Sequence, residues 1–228
     1  MHNTIGPFTV SFAVGLTTAR HKEFALRHRV FVEERGFEQP STEHPGEERD
    51  AFDPFSCALL LTDTATQTPV AAQRFVLPDL LPPPLVANVE RCYQAMDGQP
   101  AVDFDAPART RWAEASRTTV AESYRWGGRH AGMPAMVAIH YASIALASAF
   151  GRSVLYSLSE LRTERLIRRL RFPMVRVGAA VEFHGQRAPF MMRVEDMLDS
   201  VRSEHRAELA RLSSAVLLVA ATAQERVR

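Results

Sequence analysis

Glu114 and Arg117 stand three residues apart in the stretch 112–121, WAEASRTTVA. A carboxylate can take a proton from an amine, and a guanidinium can grip a carboxylate or a phosphate through two parallel hydrogen bonds. The stretch holds small and β-branched residues and no Gly or Pro, so it is expected to be a strand. A regular strand alternates its faces, which would send Glu114 and Arg117 to opposite sides. Both reach one cleft only if a bulge adds a residue between them, and such bulges re-aim side chains beside active sites. The competing expectation is an ordinary buried strand whose Glu and Arg pair with each other. A turn rich in Gly and Arg comes next at 122–132, and a long apolar helix begins at Met133. Strand, basic glycine-rich turn and helix together make a frame that can hold a phosphorylated group at a helix N-terminus.

The elements that must position this pair can be read from periodicity. Residues 8–14 suit a first strand. A helix is expected over about 19–35, capped by Thr17 or Thr18 and stopped by Gly36, with Phe24, Leu26, Val30 and Phe31 on its apolar face. The loop 36–54 holds Glu47, Glu48, Asp50 and Asp53. It is either a solvated acidic lid or a carboxylate cluster facing a cationic amine or arginines across a cleft. Residues 55–62 and 70–77 form a hairpin. Arg74 stands alone on the otherwise apolar face of its second strand, so a carboxylate partner is expected there.

Residues 79–107, with three prolines in a row at 82–84, look like an irregular surface excursion. The run 133–150 is apolar all round and should be a buried helix, with Val137 and Ile144 in the core or lining an acyl tunnel. A strand at 154–159 precedes a basic helix at 162–171. Leu161, Leu166, Ile167 and Leu170 form that helix's apolar side, and Arg165, Arg168, Arg169 and Arg171 its wet side. Late strands are expected at 172–177, 181–184 and 190–192. The tail 195–228 reads as one long helix that packs on the domain or on a second copy, which leaves a homodimer open. The fold class is therefore α/β (α+β), a mixed central sheet flanked by helices, with a domain at 1–194 and a helical extension at 195–228.

Bulk properties narrow the function. The chain has 228 residues, 46% hydrophobic and 23% charged, with net charge +1. Those are values of a soluble globular protein with no pull toward nucleic acid. Lys22 is the only lysine, so nearly every cation is Arg, which favours bidentate recognition of carboxylate or phosphate. Cys57 and Cys92 have neither metal spacing nor a disulfide framework. No signal peptide is evident, and the late apolar run 215–221 is too short to cross a bilayer. A cytoplasmic protein without membrane spans or a resident metal is expected.

Four segments taken in order resemble a known family: RHRVFVEERGF at 27–37, ERDAFD at 48–53, Arg74, and EASR at 114–117. They are similar to the autoinducer-synthase branch of the GNAT-fold acyltransferases. That branch includes acyl-homoserine-lactone synthases, N-acyl amino acid synthases and the acyltransferases associated with PEP-CTERM/exosortase systems. The late segment VEFHGQRAPF at 181–190 looks most like the last two. The resemblance spans about 20–197. It implies a GNAT-type sheet with bulged and splayed central strands, the donor's pantetheine arm lying where they part.

The resemblance also implies a reaction, the transfer of a fatty acyl group from a thioester to an amine. The donor would be acyl carrier protein more readily than coenzyme A, because the usual pyrophosphate loop is present only in looser form at Arg125, Gly127, Gly128, Arg129 and Gly132. No cofactor is bound permanently. Glu114 is the candidate base and Arg117 its catalytic companion. Arg29, Phe31, Phe37, Glu48, Asp50, Asp53 and Arg74 match the acceptor side, with Phe37 where the homoserine-lactone branch favours Trp. Arg29, Asp50, Asp53 and Arg74 would form one charged network. Ser116, Thr118, Arg125, Gly127, Gly128 and Arg129 would meet the donor. Arg125, Arg129, Arg165, Arg168 and Arg169 could dock the acidic surface of a carrier protein. Two rival functions share the fold: a short-chain N-acetyltransferase using acetyl coenzyme A, and a non-catalytic module that binds an acyl lipid.

Overall fold

The structure is a computed structural model that describes residues 3–105, 108–125 and 133–227. Nine strands among the described residues form one sheet: β1 (Thr4–Ile5), β2 (Phe8–Val14), β3 (Ser56–Asp63), β4 (Pro69–Val76), β5 (Trp112–Val120), β6 (Val154–Glu160), β7 (Val175–Arg176), β8 (Val181–Glu182) and β9 (Gln186–Arg193). Their order is β1-β2-β3-β4-β5-β6-β9-β7, with β8 beside β9. Every neighbouring pair is antiparallel except β5 and β6, which run parallel. The helices are α1 (His21–His28), α2 (Asn88–Arg91), α3 (Ala135–Ala149), α4 (Leu161–Arg169), α5 (Val194–Asp199) and α6 (Arg206–Val227).

Residues facing each other across neighbouring strands point to the same side of the sheet. Arg74 lies opposite Ser116, Val76 opposite Glu114, Glu114 opposite Tyr156, and Glu160 opposite Arg187. These residues therefore share one face, against which α1 and α2 pack. The other face is apolar and carries α3, α5 and α6. There Leu59, Leu61, Ala113, Leu155, Ile144 and Met197 belong to one continuous core. Ile144 is fully buried in it and Val137 packs against it, as core residues do.

Several expectations change. The first helix is α1 preceded by a 3-10 turn at Thr18–Arg20 and continued by π-type turns at Arg29–Glu34. Thr17 stands at its N-cap, but its hydroxyl makes no capping bond. The region 79–107 is more than a surface excursion. Ala87, Val89 and Phe104 pack on Trp112, Val154 and Tyr156 as a second small core, and the Trp112 indole N–H donates to the Phe104 carbonyl at 2.9 Å. The late strands shift because β9 pairs along the whole of β6, which leaves β7 and β8 two residues each. Leu166 is 39% exposed, so Ile167 is the one fully buried residue on the apolar side of α4. The tail is two helices, not one. Extended backbone at Arg202 separates α5 from α6, the Arg202 N–H donates to the Tyr141 hydroxyl, and Val201, Leu209, Leu212 and Val216 fold back into the main core.

One polar group lies deep in this packing. His140 of α3 stacks on Phe172 with ring centroids 3.5 Å apart, and its Nε2 has no hydrogen-bond partner. Burial pushes its pKa down to about 3 from an ordinary 6.5. The unfolded chain takes up this proton near pH 6.5 and the folded chain only near 3. Between those values the unfolded state binds more protons, so stability is lost as pH falls, by up to about 1.4 kcal/mol per pH unit. Urea unfolding of wild type and His140→Phe at pH 7 and pH 5 should show their stability gap moving by roughly 2 kcal/mol in the variant's favour at the lower pH. A gap independent of pH would mean that the imidazole takes up its proton as readily in the folded chain as in the unfolded one.

Candidate active site

The central strand is kinked. Arg74 is opposite Ser116 and Ala72 opposite Thr119, so Arg117 and Thr118 together oppose the single residue Gln73. Arg117 takes the extra place with φ +50°, a left-handed conformation that non-glycine residues seldom adopt. The bulge turns its guanidinium onto the face that carries Glu114. It does not pair the two with each other. Arg117 meets Glu38 at 3.0 Å, Glu48 at 3.1 Å and Asp50 at 3.2 Å. Glu114 is 1% exposed and accepts the Val89 N–H at 2.7 Å.

The sheet also opens at this level. β5 and β6 pair only through Trp112–Val154, Ala113–Leu155 and Glu114–Tyr156. Beyond them β6 follows β9 to Glu160, while β5 follows β4 to Val120. Glu114 thus stands at the root of a gap between parallel strands, and the β5 edge beyond it has no ladder partner on β6.

Below the gap lies a dense ionic network. Asp53 Oδ1 accepts from Arg20 at 3.0 Å, Arg27 at 2.7 Å and Arg74 at 2.9 Å, and Oδ2 accepts from Arg27 at 3.2 Å and from the Asp50 N–H at 2.8 Å. Glu23 pairs with both Arg20 and Arg27, Glu48 accepts from Arg27 at 2.6 Å, and Asp50 pairs with Arg74. Arg74 also donates to the Ser116 hydroxyl at 3.2 Å. Burial raises the carboxyl pKa of Asp53, but Arg27, Arg74 and Arg20 outweigh it and hold the group well below the usual range. Asp50 is lowered likewise, with Arg74 and Arg117 overcoming burial. Glu114 goes the other way. Burial raises it, and the Val89 N–H, Arg74 and Arg117 pull it only part of the way back.

Of the residues singled out from sequence, Glu48, Asp50, Asp53, Arg74, Ser116 and Arg117 come together here. Phe31 lies beneath the Arg117 guanidinium at 5.5 Å, and Phe37 beneath Arg35 and Arg187 at 5.5 and 6.0 Å. Arg29 does not join. It is half exposed, 3.7 Å from Glu34, and Arg27 holds the expected place in the network. Thr118 points to the α3 face, is exposed, and accepts from Gln73 at 2.8 Å. Arg125 donates to the Val120 carbonyl at 2.9 Å and pairs with Glu34. Gly127, Gly128, Arg129 and Gly132 lie outside the described residues. Arg165, Arg168 and Arg169 are exposed on α4. Arg20, Glu23 and Arg27 were missed, although their spacing at i, i+3 and i+7 places three charges on one helical stripe.

The comparisons agree with this geometry. Residues 26–134 match the family described as acetyltransferase (GNAT) domain. No curated protein matches the chain. Among solved structures, TofI in a ternary complex with an inhibitor and MTA superposes with a TM-score of 0.59 at 23% identity, over 89% of this chain and 96% of that one. BjaI, a CoA-dependent acyl-homoserine lactone synthase holding SAM and isopentyl-CoA, gives 0.56 at 17% identity over 91% and 90%. The AHL synthase LasI gives 0.57 at 14% identity over 89% and 95%. The mixed sheet flanked by helices is thus a GNAT-like fold shared with these solved structures, and residues 26–134 carry the similarity to the acetyltransferase (GNAT) domain.

Proposed function

We propose that this protein is an acyltransferase that moves a fatty acyl group from a thioester on acyl carrier protein to the amine of an amino acid or related small molecule. The observation that carries the proposal is the bulge at Arg117, which sets Glu114 and Arg117 on one face where β5 and β6 part. The donor arm would lie in that gap, using the unpaired β5 edge. An amine beside Glu114 loses a proton to the carboxylate, directly or through one water, and attacks the thioester carbonyl. The C–N bond forms and the C–S bond breaks, and the departing thiolate takes up a proton. Backbone N–H groups of the unpaired edge can hold the oxyanion meanwhile, a contribution often of about 3 kcal/mol. Burial of Glu114 supports the role of base, because a raised pKa brings a carboxylate nearer the working pH.

The basic outer face of α4, with Arg165, Arg168 and Arg169 exposed, favours an acidic carrier protein as the donor's bearer. The CoA-dependent alternative draws support from BjaI, whose structure holds isopentyl-CoA. Supplying the same acyl chain on carrier protein and on coenzyme A, with a mixture of free amino acids, separates the two by product mass and rate. Faster transfer from the carrier, weakening steeply with added salt, is the expected result. Equal or faster transfer from coenzyme A, insensitive to salt, would assign the thioester to coenzyme A. Binding of acyl lipid without any product would leave a non-catalytic module.

A further inference from the structure

Among the described residues, the arginines of the network beside the gap are saturated with acids, and Arg187 is not. Arg117 meets three carboxylates, and Arg20, Arg27 and Arg74 each meet two or more. Arg187 makes no ion pair within 4.0 Å of any acid among the described residues. Among the described residues its one hydrogen bond is a long contact from Nη2 to the His184 carbonyl at 3.5 Å, and its buried Nε has no partner there. Yet the sheet places the backbone of Arg187 closely. It stands on β9 between Val181 of β8 and Glu160 of β6, two residues after a tight turn with φ +92° at Gly185, and its guanidinium lies over the Phe37 ring at 6.0 Å. A half-buried guanidinium over an aromatic ring, with donors to spare, is a ready grip for a carboxylate.

Its position makes it relevant to the reaction. Arg187 shares the sheet face of Glu114, because Glu114 pairs with Tyr156 and, four residues further along β6, Glu160 pairs with Arg187. That is roughly 13 Å along the strands and roughly 10 Å across them, since β6 lies between β5 and β9, or about 16 Å in all, which the long Arg187 side chain, the Glu114 side chain and a small molecule between them can span. Glu38 and Glu160 act on the same guanidinium, as do Arg117 and Arg35, and burial with the two arginines lowers its pKa. Mixed charge of this kind disfavours a dianionic phosphate and suits a zwitterion, whose ammonium can lie toward the acids while its carboxylate meets Arg187. Arg117 is a poor candidate for the same task, since three acids already occupy it.

We infer that Arg187, seated on Phe37, binds the carboxylate of the acceptor, so that the acceptor is a free α-amino acid and not a simple amine. The inference rests on the acyl-transfer function proposed above for the choice of acceptor, but its test does not need turnover. Calorimetric titration without donor compares each of a panel of L-amino acids with its decarboxylated amine, phenylalanine with phenethylamine for example. At least one amino acid should bind the wild type roughly 10- to 100-fold more tightly than its amine, the range expected for a charge-assisted bidentate contact. In R187M that ratio should fall toward one, with R187K recovering part of it. R187Q, which keeps the stem on Phe37, replaces R187M if the latter fails to fold by circular dichroism.

With donor present, kcat/KM for the same pairs should follow the same ratios, and the KM of the donor should stay constant. A wild type that prefers no amino acid over its amine overturns the inference, as does a preference that survives in R187M or R187Q. A raised donor KM with an unchanged acceptor ratio assigns Arg187 to the donor's phosphate and overturns it too. A preference that depends on Arg187 in a protein transferring no acyl group upholds the inference and removes the transferase. Acyl transfer indifferent to the carboxylate does the reverse.

Discussion

Glu114→Gln should lower kcat about 10²- to 10⁴-fold, the usual contribution of a positioned general base, while the protein stays folded. The amide matches the carboxylate in shape and can still accept the Val89 N–H that now reaches the Glu114 Oε2 at 2.7 Å. Loss of the charge costs little, because burial already works against it. Burial also sets the sign of the pH dependence. With its pKa raised in the folded state, Glu114 binds its proton more tightly there than in the unfolded chain. Its ionisation therefore costs stability as pH rises above the ordinary carboxylate value of about 4.5. The variant should accordingly gain on the wild type in thermal melts toward neutral pH. In the wild type, the acid limb of kcat/KM should lie above the normal carboxylate range, where the base becomes protonated. Stopped turnover assays of both proteins from pH 5 to 8 read this directly. Unchanged kcat in the variant removes Glu114 as the base, and an acid limb at the ordinary value removes burial as the means of tuning it.

What the chain order reveals unaided depends on how local the cause is. The hairpin from Ser56 to Val76 follows from two apolar runs and a polar turn, and α3 from its nearly all-apolar composition. The kink at Arg117 was legible for a less usual reason: two charges three apart make sense on one face only if the strand gains a residue. Arg27 was passed over for Arg29 because both lie in one helical run. A change from α to π-type turns begins at Arg29, so each turn takes more residues and the 3.6 period no longer tells which side chain faces the sheet. The segment 79–107 carries no period at all. Its shape comes from Trp112 and Tyr156, distant in sequence, against which Val89 and Phe104 pack. That same packing brings the Val89 N–H to Glu114, so the residue with the clearest chemistry is tuned by a segment whose own sequence is mute. Arg187 belongs with these: it lies in the segment 181–190 whose resemblance gave it no role, and only the pairing of β9 with β6 brings it to the face of Glu114.

Asp53→Asn should destabilise the protein by about 3–5 kcal/mol, the usual cost of removing one partner from a buried ionic cluster. Asp53 is fully buried and is the acid that Arg20, Arg27 and Arg74 have in common. Without its charge Arg20 keeps Glu23, Arg27 keeps Glu23 and Glu48, and Arg74 keeps only Asp50. The amide preserves the shape but presents N–H donors to a site already crowded with guanidinium donors. For a chain of this size the melting temperature should fall by roughly 10 °C or more. The loss must also depend on pH. The three arginines hold Asp53 below its unfolded value, so its stabilisation is complete above about pH 4 and disappears as pH falls toward the depressed folded value. The gap between wild type and variant should therefore be widest at neutral pH and close in acid, opposite in sense to the gap at Glu114. Function should suffer beyond the lost stability. Asp53 holds the Asp50 N–H at 2.8 Å, and Asp50 is one of the three acids that fix Arg117 in its bulge. Turnover of the variant, measured well below its own melting temperature, should remain reduced at least several-fold. A variant that melts within a degree or two of the wild type would mean that the arginines find other partners, and that the network serves neither the fold nor the placement of Arg117.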